Sequence, residues 1–100
     1  MTIEKTINGD KIEAIIKGRL DTNTAPDLES EFVDKLQNIK EFILDLKDLD
    51  YISSAGLRVI LTFHKQMTSQ EGKFSILNPK DEVMEIFDMT GFSTFLDIKE

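Results

Sequence analysis

The 100-residue sequence contains no cysteine, no tryptophan and only one histidine, His64. The absence of cysteine excludes a disulfide framework and thiolate chemistry. One histidine without cysteine also provides no cluster with the ligand spacing of a zinc site. No apolar run approaches the length of a membrane span, and the first residues show no signal-peptide pattern. We therefore expect a cytoplasmic protein that binds no metal or cofactor and does not insert directly into a membrane.

Basic residues are scarce as well, because 12 lysines and arginines are outnumbered by 19 aspartates and glutamates, and the net charge is −7. Nucleic-acid binding needs a basic stripe, so we expect no nucleic-acid partner. The chain also lacks the glycine-rich patterns of nucleotide-binding loops. A Ser-His-Asp triad would have to use His64, which lies on the apolar face of its predicted helix. A packed, hydrogen-bonded histidine is expected there, and we predict no enzyme activity.

The sequence does contain an alternation of strand and helix patterns over residues 1–100, which predicts a single domain. Asn8-Gly9-Asp10 predicts a tight turn between strands at 2–7 and 11–17, and Lys5 places the first strand at a sheet edge. Further strands are predicted at 42–46 and at 74–77, and residues 95–98 are predicted to form a short last strand or a docked tail. The apolar run at 42–46 is typical of a strand that is covered on both faces.

Amphipathic spacing and capping residues predict three helices. They run from an N-cap at Thr24 to about Gln37, from Ser54 to Gln70, and from an N-cap at Asn78, with Pro79 in the first position, to a C-cap at Gly91. The resulting order of elements predicts an α/β fold. Its sheet is mixed and mostly parallel, with an N-terminal antiparallel hairpin and three helices packed on it.

Residues 50–61, DYISSAGLRVIL, carry the clearest functional signal. They predict the end of a buried strand, a short turn and the start of the second helix, with Ser53 and Ser54 where its N-cap belongs. Gly56 lies on the apolar arc of that helix, which predicts a close approach to the sheet. The solvent-facing arc contains Ser54, Arg58, Thr62, Lys65 and Ser69. The helix start therefore presents hydroxyl groups beside free backbone N–H groups, a position that tolerates an added anion.

This stretch resembles the signature of the STAS domain, the fold of bacterial anti-sigma factor antagonists. The matching residues are Leu44-Asp45-Leu46, Tyr51-Ile52, Ser54, Gly56-Leu57 and Val59-Ile60-Leu61. The family's second marker is matched by Gly18-Arg19-Leu20-Asp21, Thr24-Ala25 and Leu28, and residues 78–79 and 90–92 resemble its C-terminal half. The resemblance spans nearly the whole chain and implies a single domain of STAS type over residues 1–100.

The resemblance also implies a regulatory binding protein. Unphosphorylated antagonists of the family bind an anti-sigma factor that is also a serine kinase, and they thereby release a sigma factor. The kinase phosphorylates the serine two residues before the Gly-Leu pair, which is Ser54 here, and phosphorylation switches the binding off. A metal-dependent serine phosphatase reverses the modification. Ser53 is the alternative acceptor, because this chain has a second serine at the position where many members of the family carry aspartate.

The implied partner-binding surface combines the loop that neighbours the phosphorylation site with the solvent-facing arc of the second helix. Its residues are Asp21, Thr22, Asn23, Ser53, Ser54, Arg58, Thr62 and Lys65. Two other interpretations stay open. The serines can be merely an N-cap and a first-turn residue. Alternatively, the chain is a STAS binding or scaffold subunit without a phosphoswitch, for example in a phospholipid-transport complex, which an exposed apolar patch would favour.

Overall fold

Six strands and three α-helices make up the protein, and the computed structural model describes all residues from 1 to 100. The strands are β1 (Thr2–Asn8), β2 (Lys11–Leu20), β3 (Glu41–Asp45), β4 (Leu49–Ile52), β5 (Lys73–Leu77) and β6 (Asp97–Lys99). The helices are α1 (Ala25–Phe32), α2 (Ser54–Ser69) and α3 (Asp81–Thr90), and a short 3₁₀ helix (Phe92–Thr94) follows α3.

The strands form one sheet in the order β1-β2-β3-β5-β6, and β4 pairs with the far end of β2. The β1–β2 hairpin is antiparallel, and all other pairs are parallel. The pairing of β2 with β4 shifts register between Gly18 and Arg19, where Gly18 adopts a φ of +95° that is rare for residues with a side chain. The predicted α/β fold, with its antiparallel hairpin, mostly parallel sheet and three helices, is confirmed.

The hydrophobic core lies between the sheet and the helices and contains 24 buried residues. The buried apolar side chains of all three helices belong to it, which places the helices on one face of the sheet. Phe42 and Leu44 of β3 point into this core, whereas Ile43 lies outside it, in register with Glu13 and Ser75. Ile43 is nevertheless buried, at 8% exposure, so side chains on both faces of β3 are buried as the sequence predicts, although no helix packs on the outer face.

Helix α1 is shorter than predicted, because it ends at Phe32 instead of near Gln37. The chain continues as a series of turns, whose main-chain carbonyls accept hydrogen bonds from the side chains of Gln66 and Gln70 on α2. The acceptors are Val33 at 3.1 Å, Leu36 at 2.9 Å and Ile39 at 3.2 Å. These partners come from a helix that is distant in sequence, so the local apolar spacing did not reveal where α1 ends.

Helix α3 begins at Asp81, and Lys80 occupies its N-cap position. The predicted N-cap at Asn78 is wrong, because Asn78 adopts a left-handed backbone with a φ of +54° and the buried Pro79 precedes the helix. The predicted C-cap at Gly91 is confirmed by its φ of +83°. None of the helices combines the length and apolarity that are needed to cross a lipid bilayer.

Candidate functional site

Strand β4 leads the chain into the start of α2. The sequence predicts only the end of a buried strand here, whereas Leu49–Ile52 forms a separate strand on β2. The backbone N–H of Ser53 donates to the Leu20 carbonyl at 2.9 Å, which continues this pairing. The hydroxyl oxygen of Ser53 accepts a hydrogen bond from the Gly56 N–H at 3.3 Å. Ser53 is therefore the N-cap of α2 and one of the two serines predicted for that role.

Ser54 is the first residue of α2, and its environment differs from that of Ser53. Ser53 is half-buried and its hydroxyl caps the helix, whereas Ser54 is exposed and its hydroxyl forms no hydrogen bond. The first backbone N–H groups of a helix lack partners within the helix, and the helix dipole adds partial positive charge there. A negative charge at Ser54 would thus be stabilised locally by roughly 0.3–1 kcal/mol.

Gly56 lets α2 approach the sheet closely, as the sequence predicts. A Cβ atom at this position would lie 2.7 Å from Leu20 Cγ and 2.9 Å from Ile52 Cγ1. Carbon atoms do not approach so closely, so a side chain here would force its neighbours to move. Glycine therefore seats the first turn of α2 on β2 and β4 and leaves Ser54 at the surface.

The carboxylate of Asp21 organises the loop after β2. Its Oδ1 atom accepts hydrogen bonds from the backbone N–H groups of Thr24 at 3.1 Å and Asn23 at 3.0 Å. These hydrogen bonds hold the pKa of Asp21 below its ordinary value, and the bond from Thr24 has the largest effect. Thr24 occupies the predicted N-cap position of α1, but its hydroxyl donates to the Arg19 carbonyl and does not cap the helix. Asp21 thus shapes a loop in which Thr22 and Asn23 are exposed.

A shallow cleft separates the starts of α1 and α2. It has a volume of about 240 Å³ and is lined by Thr22, Ala25, Pro26, Glu29, Ala55, Arg58 and Val59. Arg58 is exposed and forms no ion pair, so its guanidinium group is free. Residues four apart lie on the same face of a helix, which puts this cation within reach of a phosphate on Ser54.

Thr62 and Lys65 lie farther from Ser54 than the other predicted partner-binding residues. With about 1.5 Å of rise per residue, they are about 12 Å and about 16 Å along the axis of α2 from Ser54. Thr62 is half-buried and its hydroxyl donates to the Arg58 carbonyl at 3.0 Å, whereas Lys65 is exposed. The start of α2 therefore brings together Asp21, Thr22, Asn23, Ser53, Ser54 and Arg58.

The single histidine and the aspartates of β3 and β4 have structural partners. His64 is half-buried against Phe95, with ring centroids 4.9 Å apart, although its ring forms no hydrogen bond. Asp45 accepts the Lys47 N–H at 3.0 Å, and Asp50 forms an ion pair with Lys80. The hydrogen bond to Asp50 raises the pKa of Lys80 above its ordinary value. No three acidic or histidine side chains are arranged to hold a metal ion.

A groove between β4 and α3 is absent from the sequence predictions. This β4–α3 groove has a volume of about 280 Å³ and is lined by Asp50, Tyr51, Ile52, Glu82, Val83, Glu85, Ile86 and Met89. Arg19 covers part of the Tyr51 ring, with its guanidinium carbon 4.2 Å from the ring centroid. No local pattern predicts the groove, because its two walls are distant in sequence and meet only in the folded chain.

Comparison with protein families identifies residues 3–100 as a STAS domain. The chain belongs to the STAS domain family. This STAS domain is 38% identical over 96 residues to BtrV, a candidate anti-sigma factor antagonist of Bordetella bronchiseptica, covering 89% of this chain and 81% of BtrV. It is 30% identical over 91 residues to the anti-sigma-B factor antagonist of Bacillus subtilis, covering 91% and 84% of the two chains. The resemblance to STAS domains of the antagonist type is confirmed.

Solved structures of antagonists share the fold of this STAS domain. A candidate antagonist from Thermotoga maritima matches with a TM-score of 0.91 at 21% identity, over 98% of this chain and 86% of that chain. The anti-sigma factor antagonist SpoIIAA in its unphosphorylated form matches with a TM-score of 0.86 at 15% identity, over 97% and 87%. The relatives of this STAS domain are named as regulatory proteins, not as enzymes.

Proposed function

We propose that this protein is a cytoplasmic anti-sigma factor antagonist in which residues 1–100 act as a single STAS domain. Its unphosphorylated form binds an anti-sigma factor that is also a serine kinase, and this binding releases a sigma factor. Phosphorylation of Ser54 by the kinase ends the binding, and a metal-dependent serine phosphatase restores it. The names of the curated relatives support the antagonist role. SpoIIAA, which has the same fold, exists in an unphosphorylated and a phosphorylated form.

The observation that carries the phosphoswitch is the free, exposed hydroxyl of Ser54 at the start of α2. A kinase must reach the acceptor oxygen from solvent, and the Ser54 hydroxyl has no hydrogen bond to give up. Modification of Ser53 would disturb its bond to the Gly56 N–H, and such a helix cap is worth about 1 kcal/mol. Ser54 is therefore the better acceptor of the two serines.

The position of Ser54 explains why a phosphate there would act on the partner and not on the fold. Phosphoserine carries roughly −1.5 to −2 charges at pH 7. In the free protein this charge would lie beside the N-terminus of α2 and the unpaired Arg58, which both favour it. A partner that packs over Ser54 would have to bury the charge, at a cost of several kcal/mol without a matching cation. About 4 kcal/mol corresponds to roughly a thousandfold loss of affinity.

Mass spectrometry after incubation with ATP and the anti-sigma kinases encoded in the same genome tests the acceptor. We expect one phosphate on Ser54 in the wild-type protein and none in Ser54→Ala. Ser53→Asn is the matched control, because asparagine removes the hydroxyl but keeps an oxygen that can cap α2. It should be phosphorylated like the wild type. Phosphate that persists in Ser54→Ala but is lost in Ser53→Asn would transfer the assignment to Ser53.

One observation favours the alternative, a STAS binding or scaffold subunit without a phosphoswitch. Tyr51 and Met89 expose apolar surface beside the β4–α3 groove. Binding measurements on a charge-bearing variant separate the two functions. A scaffold subunit would hold its partner equally well as wild type and as Ser54→Glu, whereas an antagonist with a switch at Ser54 would lose about a hundredfold or more in affinity for the kinase.

A further inference from the structure

We infer that the β4–α3 groove docks a segment of the anti-sigma kinase that presents an apolar side chain flanked by lysine or arginine. The inference rests on the proposed function and deepens it. It assigns to the groove the contact that holds the kinase on this protein, next to the hydroxyl that is phosphorylated. Position, apolar exposure and charge each support this occupant.

The groove adjoins the proposed phosphorylation site along the chain. The wall formed by β4 ends at Ile52, and Ser54 follows two residues later. A chain spans at most about 3.6 Å per residue, so the Cα atoms of Ile52 and Ser54 are no more than about 7 Å apart. A segment seated in the groove therefore lies close to the start of α2, where it can hold the Ser54 hydroxyl near a kinase active site.

The floor of the groove is apolar and partly open to solvent. Val83 is buried beneath it, whereas Met89 is 73% exposed and Tyr51 is 41% exposed. Exposed apolar side chains around a cavity of about 280 Å³ are typical of an interaction surface. Methionine is unbranched and polarizable, so Met89 can adapt its shape to an apolar side chain of a partner.

The rim of the groove is acidic, and most of its charge is not neutralised within the protein. Helix α3 has the sequence DEVMEIFDMT, which contains four acidic residues and no basic residue. Asp50 on the opposite wall is paired with Lys80, but Glu82 and Glu85 form no ion pair. Charge complementarity attracts a partner of opposite sign and rejects one of like sign. The rim therefore selects a basic segment.

Titration calorimetry with the intact protein and the anti-sigma kinase that phosphorylates it tests the inference. We expect Glu82→Lys and Glu85→Lys each to weaken binding by about tenfold at low salt, and less at high salt, because screening reduces the interaction of exposed charges. Met89→Asp should weaken binding by at least about tenfold. The matched control is Glu13→Lys, which makes the same charge change on the outer face of the sheet and should stay within about twofold of wild type.

All four substituted side chains are exposed, so the variants are expected to fold, and circular dichroism with thermal unfolding verifies this. Weakened binding by the groove variants, with wild-type binding by Glu13→Lys, supports the inference. Unchanged binding by the groove variants, while Ser54 is still phosphorylated, overturns the docking site and leaves the proposed function intact. Equal weakening by Glu13→Lys overturns the docking site as well, since net charge would then govern affinity. A wild-type protein that binds no anti-sigma kinase overturns both proposals.

Discussion

The two ends of α2 are built from different interactions. Towards its C-terminus, Phe63 packs among three other phenylalanines, with ring centroids 5.4–6.4 Å away, and Gln66 and Gln70 hold the turns after α1. At its start, Gly56 lets the first turn approach the sheet closely, the next residue, Leu57, is buried, and Ser54 faces solvent without a hydrogen bond. One end is therefore anchored by buried aromatic contacts, and the other presents polar groups.

This difference explains how a charge can be added to α2 without unfolding the protein. The aromatic contacts lie where β3 and β5 begin, whereas Ser54 follows the end of β4. Contacts that are buried at one end do not depend on the charge state of a side chain that is exposed at the other. The comparison predicts that substitutions at the two ends separate stability from partner recognition.

The largest effect is expected for Phe63→Ala at the aromatic end. Phe63 is fully buried, and the removal of a buried phenylalanine ring typically lowers the free energy of unfolding by about 3–5 kcal/mol. Urea unfolding measures this loss, and Lys65→Ala on the exposed face of α2 is the control, with a change below about 0.5 kcal/mol. Under conditions where the variant is folded, phosphorylation of Ser54 should persist. A loss of less than about 1 kcal/mol would contradict the role of this end as the anchor.

A smaller effect on stability, but a larger one on recognition, is expected for Gly56→Ala. The added Cβ would press on Leu20 and Ile52, which costs about 1–3 kcal/mol, and the better helix propensity of alanine offsets about 1 kcal/mol. Because the strain falls on the first turn of α2, the variant should also be phosphorylated more slowly at Ser54, unlike Phe63→Ala. Thr68→Ala, exposed on the same helix, should alter neither property. A Gly56→Ala protein that is more stable than wild type would show that α2 is not tightly seated there.

The smallest effect is expected in the loop that flanks the start of α2, where Asp21 makes the free energy of unfolding depend on pH. The hydrogen bonds from Thr24 and Asn23 lower the pKa of Asp21 in the folded protein. The stability that they contribute is therefore present above the ordinary carboxyl pKa and is lost as the pH falls through the lower folded value. In urea unfolding between about pH 6 and pH 3, Asp21→Asn should lose less stability than wild type. Asp34→Asn, which removes an exposed carboxylate without a hydrogen bond, should follow the wild type.

Much of the fold was predictable because its determinants are local. The Asn8-Gly9 turn, the helix start at Ser54 and the C-cap at Gly91 depend on backbone preferences within a few residues, and each is confirmed. The errors lie where distant partners intervene. Gln66 and Gln70 supply hydrogen bonds that allow α1 to end early, and the hydroxyl of Thr24 bonds Arg19 instead of capping its own helix.

In the candidate site, too, features that depend on nearby residues were predictable and features that depend on side-chain contacts in the folded chain were not. The sequence placed Ser53 and Ser54 together at a helix start and placed Arg58 on the same face as Ser54, and both placements are seen in the structure. It could not distinguish the two hydroxyls, because that distinction depends on which oxygen receives the Gly56 N–H. The acceptor role of Ser54 stays a prediction that phosphorylation experiments can test.

The amino-acid sequence by itself determined the order of the three helices and of the strands other than β4, the position of the serine pair and the close approach at Gly56, because hydrophobic period, turn residues and caps act over short distances along the chain. Only the tertiary structure decided that β4 pairs with the end of β2 and that β4 and α3 enclose an acidic, partly apolar groove. Those features arise from contacts between segments that are distant in sequence, and the register shift at Gly18 that accompanies the β2–β4 pairing exists only in the folded sheet.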